Sequence, residues 1–254
     1  MLSAMLSRIN LYPLAAHTLL GFQLAAHVLA VWFILGAGWL EWAIAVIFWF
    51  LCGSLGMAIG FHRHLSHGLA TSRLSRNFMV WCGCHAMAGP PISWVAIHRE
   101  HHRYSDTHMD PHGPEHKGKT WVQFLSMYHK PSIKYTKDLL RDDYLVWWQK
   151  NYFMYHALML LVTTSMVMIT GSVVWLALHA VPAVLTWHGG SLVNSLGHSN
   201  SGAKDSHWIA LLSWGEGYHK KHHENPKAHV FLSQTSPFDV SGMVIKGFIN
   251  NNAR

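Results

Sequence analysis

Residues 41–67 read EWAIAVIFWFLCGSLGMAIGFHRHLSH. From Glu41 to Gly60 there is no Lys or Arg, and the apolar run then delivers a histidine pair, His62-x4-His67. At about 1.5 Å per residue, such a helix matches a bilayer core of roughly 30 Å. A span with imidazoles at its exit predicts an all-α integral membrane protein whose chemistry sits at one membrane face. Toward the N-terminus, Gly36, Ala37 and Gly38 form a tight turn, and residues 14–35 are a preceding span. Toward the C-terminus, residues 62–150 are polar and His-rich, residues 152–172 and 178–196 are two more spans, and residues 199–254 are polar again. Gly171 and Ser172 break the second hairpin, and Pro182 falls early in its second arm. The expected architecture is a single domain, 1–254: two transmembrane hairpins under a helical cap formed by 62–150 and 199–254. Phe78 to Ile97 is apolar but interrupted by Gly83, Gly89, Pro90 and Pro91, so it reads as an interfacial or buried helix. Thr136 to Gln149 reads as a charged helix leading into the third span.

Composition supports this reading. Charged residues make up 12% of the chain, against about 25% in ordinary soluble proteins. The 13 tryptophans suit membrane interfaces. The 19 Lys and Arg fall only in residues 1–8, 62–150 and 204–254. With four spans, every cation lies on one side, which predicts a cytoplasmic cap and cytoplasmic termini. A cleaved signal peptide is not expected, because the first apolar stretch continues into a second span. The net charge of +7 carries no aromatic-interleaved basic run, so nucleic acid is not an expected partner. Cys52, Cys82 and Cys84 are odd in number and contain no CxxC, which excludes a disulfide framework or a thiolate metal site.

The chemistry lies in the histidines. They recur as His62-x4-His67, His98-x2-His101-His102, Asn194-x3-His198 and His219-x2-His222-His223. Residues i, i+3 and i+4 share a helix face, so each HxxHH presents three rings together and can divide them between two metals. His62 and His67 would diverge by about 140° on an ideal α-helix, which suits two metals or a helix end that bends. Imidazole suits iron, zinc, copper and nickel. Glu100, Asp106, Asp110, Glu216 and Glu224 are candidates to hold the outer ring nitrogens. His17, His27, His156, His179 and His188 read as packing or interfacial groups. His64, His85, His108, His112, His116, His129, His207 and His229 read as surface or supporting groups, with His112 singled out because Asp110-Pro111-His112 follows the first HxxHH closely.

These motifs, in this order and spacing, resemble the membrane fatty acid desaturases of the stearoyl-CoA (delta-9) type. The segments that carry the resemblance are GFHRHLSH (60–67), WVAIHREHHRYSD (94–106), DPH (110–112), NSLGH (194–198), GEGYHKKHH (215–223) and PFDVSGMVIK (237–246). It extends from about residue 40 to residue 247. The resemblance implies two iron ions held by His62, His67, His98, His101, His102, His198, His219, His222 and His223, with Asn194 reaching a metal through water. It implies a narrow, bent acyl tunnel beneath the metals, lined in part by Trp94. The implied reaction uses O2 and two electrons to remove two hydrogens from adjacent methylenes, leaving a cis double bond and water. The implied substrate is a fatty acyl-CoA or acyl-lipid. The sequence holds no haem-binding cytochrome b5-like segment, so a separate donor of ferredoxin or cytochrome b5 type is expected.

Two departures stand out. Animal acyl-CoA enzymes of this type carry a charged pair before the first HxxHH, where this chain has Ala96 and Ile97, as bacterial and plant-like relatives do. Lys220 and Lys221 replace the usual Asn-and-aromatic pair inside the second HxxHH, which points to an acidic donor or an anionic headgroup, or to solvation alone. A related di-iron hydroxylase would share the cage but return oxygen to the substrate radical. A metal transporter would instead place histidines along a path inside the spans.

Overall fold

Among the described residues, four helices are long and apolar enough to cross a membrane: Ala15–Gly36, Trp39–Ser66, Asp143–Thr170 and Val174–Leu196. The computed structural model describes residues 14–113, 118, 119, 121 and 127–249. The expectations for residues 1–12, His116 and both chain ends lie outside these. In chain order, α1 is Leu14–Gly36 and α2 is Trp39–Trp49, which continues as a wider π-type helix over Phe50–Ser66. Then come α3 (Arg73–His85), α4 (Pro91–Tyr104), α5 (Asp143–Thr170), the single turn α6 (Val174–Ala177) and α7 (Ala180–Leu196). The remainder is α8 (His207–Leu212), α9 (His219–Glu224) and α10 (Val240–Val244), plus a two-stranded pairing of His198–Ser199 with Gly202–Ala203.

Two spans extend further on the cap side than their hydropathy suggests. The second continues past Gly60 to Ser66, and the third begins at Asp143 rather than at residue 152. Asp142 explains the early start: its carboxylate accepts from Tyr144 N (3.0 Å) and Leu145 N (3.2 Å), capping α5. The expected charged helix over 136–149 is therefore not separate; its second half is the first turns of α5. The chain leaves α5 at Gly171, whose φ of 71° is the left-handed stop that glycine supplies. The fourth span is kinked, with α6 and α7 meeting at Leu178 and His179. Pro182 sits in the first turn of α7, where its missing N–H costs nothing.

The broken apolar stretch around 78–97 becomes a helical hairpin, with α3 packed along the π-type helix and α4 returning. The approach is backbone to backbone: a Cβ on Gly56 would lie 2.3 Å from Gly83 N, so only glycines allow it. The turn between α3 and α4 is non-helical and buried, so its polar backbone needs partners. Gln23 Nε2 donates to Met87 O (2.6 Å), and Gly89 N donates to Tyr152 Oη (2.9 Å). Gln149 Oε1 accepts from Ile92 N and Ser93 N at the start of α4 (3.1 and 3.2 Å). α1 and α5 thereby clamp the hairpin, which aims α4 and its three histidines at the cap.

Candidate metal centre

The nine histidines of the motifs gather into two groups. One is His62, His67, His98, His102 and His222; the other is His101, His198, His219 and His223. Within each group the candidate ligand nitrogens lie within 4.8 Å of one another. Each HxxHH is divided between them: α4 sends His98 and His102 one way and His101 the other, while α9 sends His222 one way and His219 and His223 the other.

His62 and His67 do not diverge as an α-helix would require. Their segment is wound with i→i+5 bonds, His67 N donating to His62 O at 3.2 Å, so residues five apart stack on one face. Their ring centroids are 4.9 Å apart, and both join the first group.

The donor set fits metal ions. In the first group, Nε2 faces Nε2 between His62 and His222 (2.9 Å), His67 and His98 (3.0 Å), and His102 and His222 (2.7 Å). In the second group the pairs are His198 and His219 (2.9 Å), His219 and His223 (3.0 Å), and His101 and His223 (3.2 Å). Adjacent ligands at imidazole–metal bonds of about 2.0–2.1 Å stand about 3 Å apart at right angles, which matches this spacing. Protons alone do not account for it. His101 Nδ1 donates to Asp110 Oδ1 (2.8 Å), His198 Nδ1 to Asp106 Oδ1 (3.1 Å), and His62 Nδ1 contacts Glu216. With the proton held at Nδ1, a neutral ring directs a bare lone pair at its neighbours through Nε2. Burial and the surrounding rings push His98, His101, His219 and His222 well below the ordinary imidazole range, and His223 down to about 4. These five rings are thus neutral and competent as ligands.

Of the five acids expected behind the rings, Asp106, Asp110 and Glu216 hold that place. Glu100 instead pairs with His129 (2.9 Å), and Glu224 lies 3.8 Å from Lys220 at the surface. Asp110 is a hub, since its carboxylate also accepts from His112 N (2.8 Å) and Asp106 N (2.9 Å). Burial raises the Glu216 carboxyl, but His62 and Arg63 outweigh it and hold the group below the usual carboxylate range. Lys220 and Lys221 turn to other partners. Lys220 is exposed, and Lys221 Nζ donates to Thr235 Oγ1 (2.9 Å) and Ser233 Oγ (3.2 Å).

Sequence reasoning missed Arg63 and Asp239. Arg63 is 1% exposed and Asp239 is fully buried. Arg63 donates to Glu216 Oε1 through Nε and Nη2 (3.1 and 2.9 Å), to Asp239 Oδ1 (2.8 Å) and to His229 O (2.9 Å). Asp239 also accepts from Phe231 N and Gly242 N. The available signal was an acid inside the 237–246 motif and an arginine between two ligand histidines. His85, expected near the surface, is instead buried in the helical bundle with His156 and His179.

A cavity of about 390 Å³, mostly apolar, runs past both groups, with His62, His98, His101 and His219 in its wall. Trp94 and Asn194 also line it. Trp94 stacks on His98 with centroids 5.1 Å apart. His112 lines the cavity too, its ring centroid 5.0 Å from that of His101.

Comparison with known proteins agrees with this chemistry. The fatty acid desaturase family profile matches residues 37–232. The chain is 34% identical over 199 residues to an sn-1 stearoyl-lipid 9-desaturase of Anabaena variabilis, covering 73% of this chain and 72% of that protein. It is 29% identical to an acyl-CoA C20 Delta5-desaturase of Anemone leveillei, covering 78% and 67% of the two chains. It is also 29% identical to a hex-5-enoyl-[acyl-carrier protein] acetylenase of Moorena producens, covering 71% and 70%. Two histidine groups able to hold a pair of iron ions, beside an apolar cavity in a membrane-type helical bundle, and a profile match over most of the length place the chain in the fatty acid desaturase family.

Proposed function

We propose that this oxidoreductase inserts a cis double bond, at the delta-9 position, into a saturated acyl chain carried on CoA or a membrane lipid. The observation that carries the reading is the pair of histidine groups in the wall of one apolar cavity. In this reading, His62, His67, His98, His102 and His222 hold one iron and His101, His198, His219 and His223 the other, with Asn194 acting through water. When bound, the iron pair supplies O2 activation and hydrogen removal from an unactivated methylene, chemistry that no side chain offers.

The protein's own residues do the rest. Asp106, Asp110 and Glu216 keep the proton at Nδ1 of His198, His101 and His62, leaving Nε2 free to bind metal. Arg63 and Asp239 hold Glu216 in place. Apolar walls, Trp94 among them, orient the chain and exclude water. The cap faces the cytoplasm, where a separate ferredoxin or cytochrome b5-type donor supplies two electrons. The relatives bear on the regiochemistry and the carrier: one is named for a lipid-linked 9-desaturation and another for an acyl-CoA substrate.

The test is the fatty acid profile of a host supplied with a matching reductase, read by gas chromatography–mass spectrometry after double-bond derivatisation. The expected result is a new cis monoene, absent with His102→Ala. A hydroxy acid in its place would move the protein to the hydroxylase reading. No new lipid despite bound iron and a working donor would remove the acyl substrate class.

A further inference from the structure

The cavity has little charge in its wall. Among the described residues that line it, the charged side chains other than histidine are Glu216 and Lys150. Glu216 lies at the metal centre and is engaged by Arg63 and His62. Lys150 is different: it is exposed, sits in α5, and forms no ion pair with another described residue.

Its position matters. Gln149, Lys150 and Asn151 are the last polar triplet of α5 before the apolar run that starts at residue 152. The polar-to-apolar step of a span lies at the level of lipid headgroups. Ala15, Ala16 and Leu19 of α1 and Phe153 of α5 are among the apolar residues that line the same cavity. The neighbouring amide is not free to bind a ligand, because Gln149 Oε1 caps α4 and its Nε2 donates to Ser93 Oγ (2.7 Å). Among the described residues, the cavity wall therefore carries one ammonium, exposed and without an ion-pair partner. An acyl chain lying in that cavity places its carrier group at the headgroup level. A compact, strongly hydrated ammonium with three donors suits a phosphate as a point charge.

We infer that Lys150 recognises a phosphate on the acyl carrier, so that phosphate-bearing acyl donors bind in preference to uncharged glycolipids or free acids. This inference rests on the acyl-substrate reading above. The phosphate can belong to a phospholipid headgroup or to the pantetheine arm of a thioester carrier, and the experiment separates these sources.

The experiment measures binding and turnover in parallel on iron-loaded protein in neutral detergent micelles. Binding is read by displacement of a fluorescent acyl analogue, with stearoyl-CoA, stearoyl-lysophosphatidylglycerol, stearoyl-monogalactosylglycerol and stearate as competitors. Wild type is compared with Lys150→Gln and Lys150→Arg. The expected result is roughly 5–10-fold weaker binding of at least one phosphate-bearing competitor to Lys150→Gln, with Arg restoring it, as for loss of one charge-assisted contact. The galactolipid and stearate should be unaffected, and the difference should shrink at high salt. Which phosphate-bearing competitor responds identifies the carrier. Equal binding of all competitors to wild type and Lys150→Gln overturns the inference. So does an equal loss for all of them, which would mean that Lys150 only seats the protein, or a loss confined to stearate, which would mean that it reads a carboxylate. If phosphate-selective binding holds but no double bond forms, the desaturase reading fails while the assignment of Lys150 stands.

Discussion

Two histidine assemblies sit in this protein, and they are built differently. In the cap, nine rings turn Nε2 toward Nε2, and three carboxylates stand behind them at Nδ1. In the helical bundle, His85, His179 and His156 form a chain instead. His179 uses Nδ1 toward His85 Nε2 (3.1 Å) and Nε2 toward His156 Nδ1 (3.2 Å). At one end His85 meets Tyr155 Oη and Leu178 O, with no carboxylate among these partners. A single neutral tautomer, each ring donating from Nε2 and accepting at Nδ1, accounts for both ring-to-ring contacts and for both contacts of His85. The cage is not satisfied in the same way, because carboxylates hold Nδ1 of His62, His101 and His198 and the Nε2 atoms of the rings converge. Both places bring buried histidines into ring-to-ring contact. Convergence with backing acids marks a metal site, whereas alternation marks polar contacts that join helices.

That contrast can be broken by experiment. The largest effect is expected for His222→Ala, since His222 meets both His62 and His102. Product formation should fall by on the order of 10⁴-fold, and iron per chain should drop toward one, measured by elemental analysis. Retention of two irons would dissolve the first group as a site. Next comes Asp239→Ala, which takes from the buried Arg63 guanidinium one of its two carboxylate partners. Unfolding in mixed micelles should become easier by about 3–5 kcal/mol, and a change below about 1 kcal/mol would mean that Glu216 alone satisfies Arg63. Glu216→Gln and Asp110→Asn keep size but weaken the hold on Nδ1. Chelator competition should show metal affinity about 10–100-fold lower, with folding retained. The smallest effect belongs to the bundle: His179→Leu should cost roughly 1 kcal/mol of helix association and leave iron content unchanged. Iron loss in that variant would erase the distinction between the two assemblies.

Much of this molecule is legible in its residues. Four long apolar runs free of Lys and Arg, and histidines at i, i+3 and i+4, carry the fold class and six of the nine rings, because hydropathy and helical period are local properties; His62, His67 and His198 are carried by the family resemblance of their motifs. What escaped notice is non-local or depends on winding. The π-type turns that align His62 with His67 leave no trace in a pattern read at 3.6 residues per turn. The early start of α5 depends on Asp142 as a cap, which a hydropathy window averages away. Asp239 and Arg63 are 176 residues apart, and neither one alone implies the other. Glu100 lies inside the first HxxHH and Asp106 four residues after it, yet of the two only Asp106 reaches a ring of the cage, since Ser105 leaves the helical conformation and Asp106 turns left-handed with a φ of 66°.

The sequence by itself determined the membrane-type all-α class, the order of hairpins and cap, and the two HxxHH triplets, since spacing along a helix decides which side chains share a face; His62, His67 and His198 came with the family resemblance of their motifs. Only the tertiary structure decided how those rings divide between two groups, which acids stand behind them, and that His85, His156 and His179 form a separate chain. Each of those choices turns on distances between helices remote in sequence, set by close contacts such as Gly56 against Gly83 and by buried partners for a non-helical turn.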